Sequence, residues 1–354
     1  MCGIFGCINL NGFFKREDSY RFIHLTEMVS YRGPNASGYV MLNIKKSVID
    51  NYFDVFLGHK RLSIIDLTSV ANQPMEDKGV WIVYNGEIFN YLELKEELKK
   101  DGFIFNSNSD TEVILKIYRK YGETGFEKLN GMWAFAVVDL PNKKIVLSRD
   151  RFSIKPLYFT QIDGQFYFAS EIKQLIPFIQ KKEINRNIMY TFLQQGILDY
   201  NDETFFNGIY KLEPKTNMII HLIDNKIEYK KYWDYTIESI SNANDAVEKF
   251  REVFIDSIKI RLRSDVKVGA LLSGGLDSSS ITVIANRIQN RNFESFSVVA
   301  KDRKYSEEKF IDILCKTKVI KNQKLYFESD IVLSTLNDVI YHNDEPFGSL
   351  SVVA

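Results

Sequence analysis

Cys2 is a candidate for covalent chemistry, because its position could place a thiol and a free amine on the same residue. A small second residue usually permits removal of the initiator Met1, so the mature chain would begin with Cys2. Its α-amine would have an ordinary pKa of about 8 and could take the thiol proton, directly or through a water. A lone cysteine in a strand is more often a small apolar core residue. Cys2 alone therefore leaves both interpretations open.

A second set of chemically useful residues forms the run Leu271-Leu272-Ser273-Gly274-Gly275-Leu276-Asp277-Ser278-Ser279. Glycine and serine between a strand and a helix expose backbone N–H groups at the positive end of the helix, where an anion can bind. An isolated Gly-Gly is more simply a tight turn with a capping serine. The full run is more specific, and it is not a Walker A loop because Gly-Lys-Ser/Thr is missing.

Composition and charge limit the classes of protein to consider. The 354 residues are 45% hydrophobic and 26% charged, as in a globular protein, and are numerous enough for two domains. Because 46 basic residues balance 46 acidic ones, no overall field attracts nucleic acid or a membrane surface. Neither a signal peptide nor a membrane-spanning segment is recognisable, so we expect a cytoplasmic protein. The spacing of Cys2, Cys7 and Cys315 indicates neither disulfides nor a zinc site.

The elements that must hold Cys2 are mostly strands. Apolar runs suited to buried strands occupy Cys2–Leu10, Val80–Tyr84, Met132–Leu140 and Ile145–Leu147, the last two joined by a turn. Ser109 and Glu112 have the spacing of a capping box, so a helix should begin there. Further turns are expected at Asp163-Gly164, Pro214-Lys215 and Asp224-Asn225. Strands with scattered helices predict an α+β sandwich.

The pattern changes after Asp234, and we predict domains at residues 1–235 and 240–354. The second begins with a helix that places Val247, Phe250, Phe254 and Ile258 on one face. A strand (Val266–Leu272), a helix (Ser278–Gln289) and a strand (Phe293–Val299) follow. This βαβ order predicts an α/β doubly wound parallel sheet.

The amino-terminal run Met1-Cys2-Gly3-Ile4-Phe5-Gly6 resembles the opening of the class II glutamine amidotransferases. The resemblance continues over the whole first domain, in the order and spacing of the asparagine synthetase branch. It is carried by Tyr31–Pro34, His59–Asp66, Tyr84–Asn90, Ser109–Glu112, Gly131–Ala136 and Lys155–Tyr158. The implied fold is the αββα sandwich of N-terminal-nucleophile hydrolases, with Cys2 as the nucleophile that hydrolyses L-glutamine.

The resemblance also assigns the groups around the nucleophile. The Asn85 side chain and the Gly86 N–H would stabilise the negative charge on the attacked amide oxygen. Asn85-Gly86 is also a common hairpin turn, and the dipeptide alone does not decide.

Glutamine would be recognised through its charged end. The resemblance implies that Arg61 grips the α-carboxylate and Asp110 pairs with the α-ammonium, with further contacts from Glu87 and the Ile64 main chain. Asn35 and Ser153 depart from the usual family residues, Asp and Gly, and leave the geometry of their loops open.

The Ser-Gly-Gly-Leu-Asp-Ser run resembles the pyrophosphate loop of N-type ATP pyrophosphatases. The implied ATP site comprises Leu272, Ser273, Gly274, Gly275, Asp277, Ser278 and Val298. Asp277 would hold Mg²⁺ through pyrophosphate, and Leu272 and Val298 would contact adenine. The resulting acyl-adenylate, formed from L-aspartate or a related carboxylate, would capture ammonia and leave AMP and pyrophosphate.

Several alternatives remain open. The family pattern would continue beyond Ala354, so we expect an incomplete synthetase half in which only glutaminase activity is retained. A homodimer is compatible with the family. The chain could amidate another carboxylate, or bind glutamine or a partner without turnover. A β-lactam-forming synthetase has no use for Cys2, and glucosamine-6-phosphate synthase and amidophosphoribosyltransferase lack the Ser-Gly-Gly-Leu-Asp-Ser run.

Overall fold

The computed structural model of the chain describes residues 1–45, 51–302, 304, 306–328, 330–348 and 352. Two compact units are present, Met1–Tyr235 and Thr236–Ala354, each with its own sheets and apolar core. Ala354, to which the expectation of an incomplete second domain refers, lies outside the described residues.

The first unit contains most of the strands. These are β1 (Gly3–Asn9), β2 (Phe14–Lys15), β3 (Ala36–Leu42), β4 (Tyr52–Phe53), β5 (Val55–Arg61), β6 (Met75–Asp77), β7 (Val80–Ile88), β8 (Gly131–Asp139), β9 (Lys144–Arg149), β10 (Tyr158–Ile162), β11 (Gln165–Ala169), β12 (Tyr210–Lys211), β13 (Thr216–His221) and β14 (Ile227–Lys231). Its α-helices are α1 (Asp18–Glu27), α2 (Tyr91–Lys100), α3 (Asp110–Tyr121) and α4 (Arg186–Gln195). Short 3-10 helices occupy Ser30–Arg32, Ser69–Ala71, Gly122–Lys128, Ile172–Gln174 and Ile176–Phe178.

Two six-stranded antiparallel sheets form the centre of this unit. Their strand orders are β12-β10-β11-β1-β5-β3 and β14-β13-β9-β8-β7-β6. In the first sheet β1 lies between β11 and β5, with Phe5 opposite Ala169 and Gly3 opposite Lys60. The amino terminus therefore enters at a central strand and not at an exposed edge.

Apolar side chains fill the space between the sheets and cover their outer faces. Ile4 of β1 and Val83 of β7 belong to the buried cluster shared by the two sheets. The next residue along β1, Phe5, points to the other face and packs with Phe22 of α1, because successive side chains in a strand alternate. Helices α2 and α3 cover the second sheet. The layers follow the order αββα, so the predicted sandwich is confirmed.

The local predictions in this unit are largely confirmed, with one correction. The run Cys2–Leu10 contains β1, and Lys143, with a φ of 49°, lies in the turn between β8 and β9. Ser109 caps α3 by accepting a hydrogen bond from the N–H of Thr111 at 3.2 Å. The capping box is wrong, because the Glu112 carboxylate accepts N–H groups of residues 106 and 107 at 2.8–3.1 Å instead.

The second unit alternates helices and strands. Its elements are α5 (Ala243–Arg261), β15 (Gly269–Leu271), α6 (Leu276–Ile288), β16 (Glu294–Ala300), α7 (Glu308–Lys318), β17 (Lys321–Phe327) and α8 (Asp330–Asn343). Strands β15, β16 and β17 form a parallel sheet in that order. The predicted βαβ unit is confirmed, although β15 is shorter than expected because only Gly269–Leu271 pairs with β16.

The helix face predicted for α5 is only partly buried. Ile258 belongs to a small buried cluster and Phe254 packs against it, whereas Val247 and Phe250 are 55% and 68% exposed. The predicted helix is confirmed, and the first half of its apolar face is exposed. Among the helices in the described residues, none is both long and apolar enough to cross a membrane.

Candidate functional site

A cavity of about 110 Å³ opens at the amino-terminal end of β1 in the first unit. It is lined by residues distant in sequence: Met1, Cys2, Arg61, Leu62, Ile64, Ile65, Gln73, Tyr84, Asn85, Gly86, Glu87, Ser109, Asp110, Thr111 and Lys155. This set includes every residue assigned from the sequence to catalysis or glutamine binding. Strand β7 supplies residues 84–87, β5 ends at Arg61, α3 begins at Asp110, and Cys2 directly precedes β1.

The Cys2 thiol is held against the residue that follows β5. Its sulfur accepts a hydrogen bond from the Leu62 N–H, with 3.3 Å between nitrogen and sulfur, and lies 3.7 Å from the Leu62 carbonyl oxygen. Burial raises the pKa of the thiol, although the Leu62 N–H opposes this shift. A protonated thiol is a weak nucleophile, so an adjacent base is needed to activate it.

A base is available at the chain terminus. In the structure the terminal amine belongs to Met1, and burial is the main cause that lowers its pKa below the ordinary value. The Cys2 sulfur raises that pKa, whereas Arg32 and Lys155 lower it. An amine with a lowered pKa is more often neutral near pH 7 and can accept a proton.

Asn85 and Gly86 lie inside β7 and not in a hairpin turn, opposite Ala134 and Trp133 of β8. A Cβ on Gly86 would come within 2.2 Å of the Met132 carbonyl oxygen, so only glycine fits. Asn85 is 1% exposed, and neither its side-chain oxygen nor its nitrogen has a hydrogen-bond partner among the described residues. A buried, unpartnered amide beside a cavity costs stability, which is the usual mark of a group kept for a ligand.

Asp110 is the first residue of α3 and is 5% exposed. One carboxylate oxygen accepts hydrogen bonds from the Tyr84 hydroxyl at 2.8 Å and from the Ile88 N–H at 2.9 Å. Burial raises the pKa of this carboxyl, while those two donors lower it. A positive ligand group beside the carboxylate would offset the cost of burying its charge.

Arg61 lines the cavity, but its guanidinium already binds the protein. One terminal nitrogen donates to the Thr68 carbonyl and to the Asn72 side-chain oxygen, both at 2.8 Å. The other donates to the carbonyls of residues 65 and 66. A forked grip on a carboxylate would therefore require exchange of some of these bonds.

Glu87 and Ile64 complete the set predicted to touch glutamine, and both line the cavity. Burial raises the pKa of the Glu87 carboxyl, and the Lys155 charge is the largest opposing influence. A carboxylate that is partly desolvated in this way favours a cationic partner.

A buried charge cluster, for which the sequence suggested no role, holds the backbone of Cys2. Arg32 donates to the Cys2 carbonyl at 3.0 Å and to the Glu171 carboxylate at 2.9 Å. Glu171 also accepts from Lys173 and from the Tyr31 hydroxyl. Burial opposes ionisation of Glu171, but these donors together lower its pKa. Only the Tyr31-Arg32-Gly33-Pro34 run marked this cluster in the sequence.

The two departures from the family pattern adopt defined conformations. Ser153 has a φ of 58°, in the left-handed region that favours glycine, so the loop keeps a glycine-like geometry at some cost. The Asn35 side chain accepts a hydrogen bond from the Ser63 N–H at 3.0 Å. Both residues lie in loops next to strands of the site and outside the cavity lining.

In the second unit, the predicted phosphate loop lies between β15 and α6. Gly274 has a φ of 89°, and Gly275 precedes α6 without a side-chain cap on the helix. The hydroxyls of Ser273 and Ser278 are 3.0 Å apart, and the Ser278 hydroxyl accepts the Ser273 N–H at 3.2 Å. Among the described residues, no side chain accepts a hydrogen bond from the first N–H groups of α6, which suits an anion.

The remaining residues of the predicted ATP site lie around this loop. Asp277 is exposed in the first turn of α6, and Val298 on β16 is 41% exposed. Leu272 is buried with Val299 and Ile311, so its side chain belongs to the core. No cluster of three or more His, Cys, Asp or Glu able to hold a metal occurs in the described part of the chain.

Comparison with protein families divides the chain in two. Residues 1–233 match the glutamine amidotransferase domain, and residues 249–354 match asparagine synthase. Over 99% of its length the chain also aligns with 92% of a solved glutamine phosphoribosylpyrophosphate amidotransferase from B. subtilis, at 14% identity and a TM-score of 0.49, a likeness too slight to carry an argument.

Two curated relatives resemble both parts of the chain. Asparagine synthetase [glutamine-hydrolyzing] 1 of Bacillus subtilis is 33% identical over 360 residues, which are 100% of this chain and 54% of that protein. A putative asparagine synthetase [glutamine-hydrolyzing] 2 of Methanocaldococcus jannaschii is 33% identical over 372 residues, covering 99% and 70% respectively. The chain thus spans about half of the first relative's length. Its two matched domains and these identities show that the chain belongs to the glutamine-hydrolysing asparagine synthetase family.

Proposed function

We propose that the first unit is a glutaminase that supplies ammonia for amidation of a carboxylate. The observation that carries this proposal is the unpartnered Asn85 amide, buried in the same cavity as the Cys2 thiol and the Asp110 carboxylate. An amino acid whose side-chain amide reaches Cys2 would place its oxygen near Asn85 and its ammonium near Asp110. L-Glutamine has these groups.

The reaction follows from the groups in the cavity. After removal of Met1, the α-amine of Cys2 takes the thiol proton, and the sulfur attacks the glutamine amide carbon. Asn85 and the Gly86 N–H stabilise the charge that develops on the amide oxygen. The amide nitrogen gains a proton and leaves as ammonia, and water then hydrolyses the thioester to glutamate and free Cys2.

The second unit would use that ammonia. We propose that its Ser273–Ser279 loop binds the phosphates of ATP, with Mg²⁺ held by Asp277 together with phosphate oxygens. One exposed carboxylate fits this cation, because Mg²⁺ in nucleotide sites usually takes one or two carboxylates and completes its shell with phosphate and water. The metal would offset phosphate charge while a carboxylate attacks the α-phosphate.

The preferred acceptor is L-aspartate, which would give asparagine, AMP and pyrophosphate; another carboxylate is the alternative. For the 354-residue chain itself we expect glutaminase activity alone. A cytoplasmic location and a homodimer also remain proposals.

The glutaminase proposal is tested by ammonia release from glutamine. Cys2→Ala should abolish release, because it removes the nucleophile while the rest of the cavity is retained. The matched control is Cys7→Ala, which lies in β1 just beyond Cys2 and is fully buried on the α1 side, and which should keep release. Intact mass establishes in each sample whether Met1 has been removed.

Two results would contradict the proposal. Cys2→Ala could release ammonia at the rate of the unchanged protein, which would exclude the sulfur from the reaction. Alternatively, the processed, folded protein could bind glutamine without releasing ammonia, which would favour a binding function.

A further inference from the structure

Lys155 is anchored in the loop between β9 and β10 through its backbone. Its N–H donates to the Asp150 carboxylate at 2.9 Å, and its carbonyl accepts from Arg149 at 2.9 Å. The same carboxylate accepts the N–H groups of Phe152 and Ile154 at 2.9 and 3.0 Å. The loop therefore has little freedom, and the direction of the Lys155 side chain is set by its backbone.

The side chain of Lys155 is buried and has no polar partner in the described part of the chain. The residue is 6% exposed and lines the cavity, yet its ammonium makes no hydrogen bond or ion pair with any of the described residues. The other buried lysines of the described chain all have partners: Lys60 with Glu27, Lys95 with the Ser107 carbonyl, Lys116 with Asp77, Lys173 with Glu171, and Lys211 with Asp199. A buried lysine is rarely left unpaired, so this exception requires a reason.

The charges around Lys155 are those at the nucleophile end of the cavity. Burial lowers the pKa of the Lys155 ammonium, Glu87 is the strongest influence that raises it, and Arg32, Cys2 and Asp150 act more weakly. Met1 lines the same cavity, and the pKa of its terminal amine is lowered first by burial and then by Arg32 and Lys155, whereas Cys2 and Glu87 raise it. Lys155 and Glu87 therefore act on this amine with opposite signs, and in the described structure they form no ion pair with each other.

A base must be neutral before it can take a proton, and a fixed positive charge nearby disfavours protonation of an amine. We propose that Lys155 is a positioning residue of the glutaminase site, whose ammonium keeps the α-amine of processed Cys2 in its neutral form. The effect of Lys155 on catalysis rests on the proposed glutaminase function, but the protonation of the amine can be measured without turnover.

The test is an NMR titration of processed protein labelled with [¹³Cα]cysteine. Only three cysteines contribute signals, and the Cys2 signal is the one lost in Cys2→Ala. Lys155→Met keeps the length and apolar stem but removes the charge, and should raise the apparent pKa of the amine–thiol pair by about one unit. Lys155→Arg should leave it near the original value, and Glu87→Gln should lower it.

Activity provides the second measurement. In Lys155→Met the acid limb of the pH profile for kcat/KM should move to higher pH by the same amount, so kcat/KM well below that pKa falls about tenfold. An unchanged titration in folded Lys155→Met would overturn the inference, as would equal shifts in Lys155→Met and Lys155→Arg. If the titration shifts as expected but the parent protein releases no ammonia, Lys155 keeps its role toward the amine and only the proposed glutaminase function fails.

Discussion

The two units differ in how they surround their candidate sites. In the first, the cavity lies beside β5 and β7, whose residues are mostly buried, and most of its polar side chains are buried as well. In the second, the phosphate loop is exposed beside a three-stranded sheet, and large apolar residues such as Leu276 and Phe310 are 84% and 60% exposed. On the proposed function, the first site would bind through fixed buried groups, and the second through backbone N–H groups at a helix end.

The difference in burial between the two units should have its largest effect on the free energy of unfolding. Phe135→Ala removes a fully buried ring from the first unit and should cost about 3–5 kcal/mol. Phe250→Ala removes a 68% exposed ring from α5 and should change the stability of the second unit by less than about 0.5 kcal/mol.

Urea unfolding followed by tryptophan fluorescence reports the first unit, because Trp81, Trp133 and Trp233 all lie there. Hydrogen exchange of peptides from α5 reports the second. A loss of several kcal/mol in Phe250→Ala would break the comparison, since it would mean that another surface covers α5.

The second prediction separates function from stability inside the first unit. Asn85→Ala should lower kcat for ammonia release by about 10²–10³-fold, the usual cost of losing one oxyanion donor. Because Asn85 makes no hydrogen bond to the described residues, the fold should lose little. Measurements of kcat and of the urea midpoint on the same samples test both statements.

Asn217→Ala is the matched control for that experiment. Asn217 is equally buried in the same unit, and its side chain donates to the Glu123 carbonyl at 3.1 Å. Its removal should lower stability and leave kcat nearly unchanged. The opposite pattern in the two variants would show that Asn85 supports the fold and not the reaction.

A smaller effect than that of Asn85→Ala is expected at the phosphate loop. Mg-ATP at about ten times its Kd should stabilise the second unit by about 1.4 kcal/mol and slow proteolysis between Ser273 and Ser279. Asp277→Asn should weaken this protection, whereas Asp245→Asn, in the first turn of α5, should not. Full protection by Mg-ATP in Asp277→Asn would exclude this carboxylate from nucleotide binding.

Local sequence patterns predicted the elements that carry the sites. The apolar run at Cys2–Leu10 predicted β1, and Ser109 predicted the start of α3. The order of strand, glycine and helix predicted the loop before α6. These features depend on neighbours within a few residues. The same reasoning did not show how much of the apolar face of α5 is buried, because periodicity does not reveal what covers a helix.

Long-range contacts could not be predicted in this way. Arg32 and Glu171 are separated by 139 residues, and no local sequence pattern in either segment predicts their ion pair. The carbonyls around Arg61 likewise depend on the path of residues 65–68, which has no sequence signature. The family resemblance named most residues of the cavity, but their hydrogen bonds had to come from the structure.

Asp150 supports the site from outside the cavity, so a mutational survey could mistake it for a residue that contacts the substrate. Besides the Lys155 loop, its carboxylate accepts the Trp133 N–H at 3.2 Å, so one side chain joins strand β8 to that loop. A screen scored by ammonia output would rank position 150 with the nucleophile, although its carboxylate is absent from the cavity lining. Measuring protein abundance in parallel would distinguish Asp150, which supports the fold, from residues that contact the substrate.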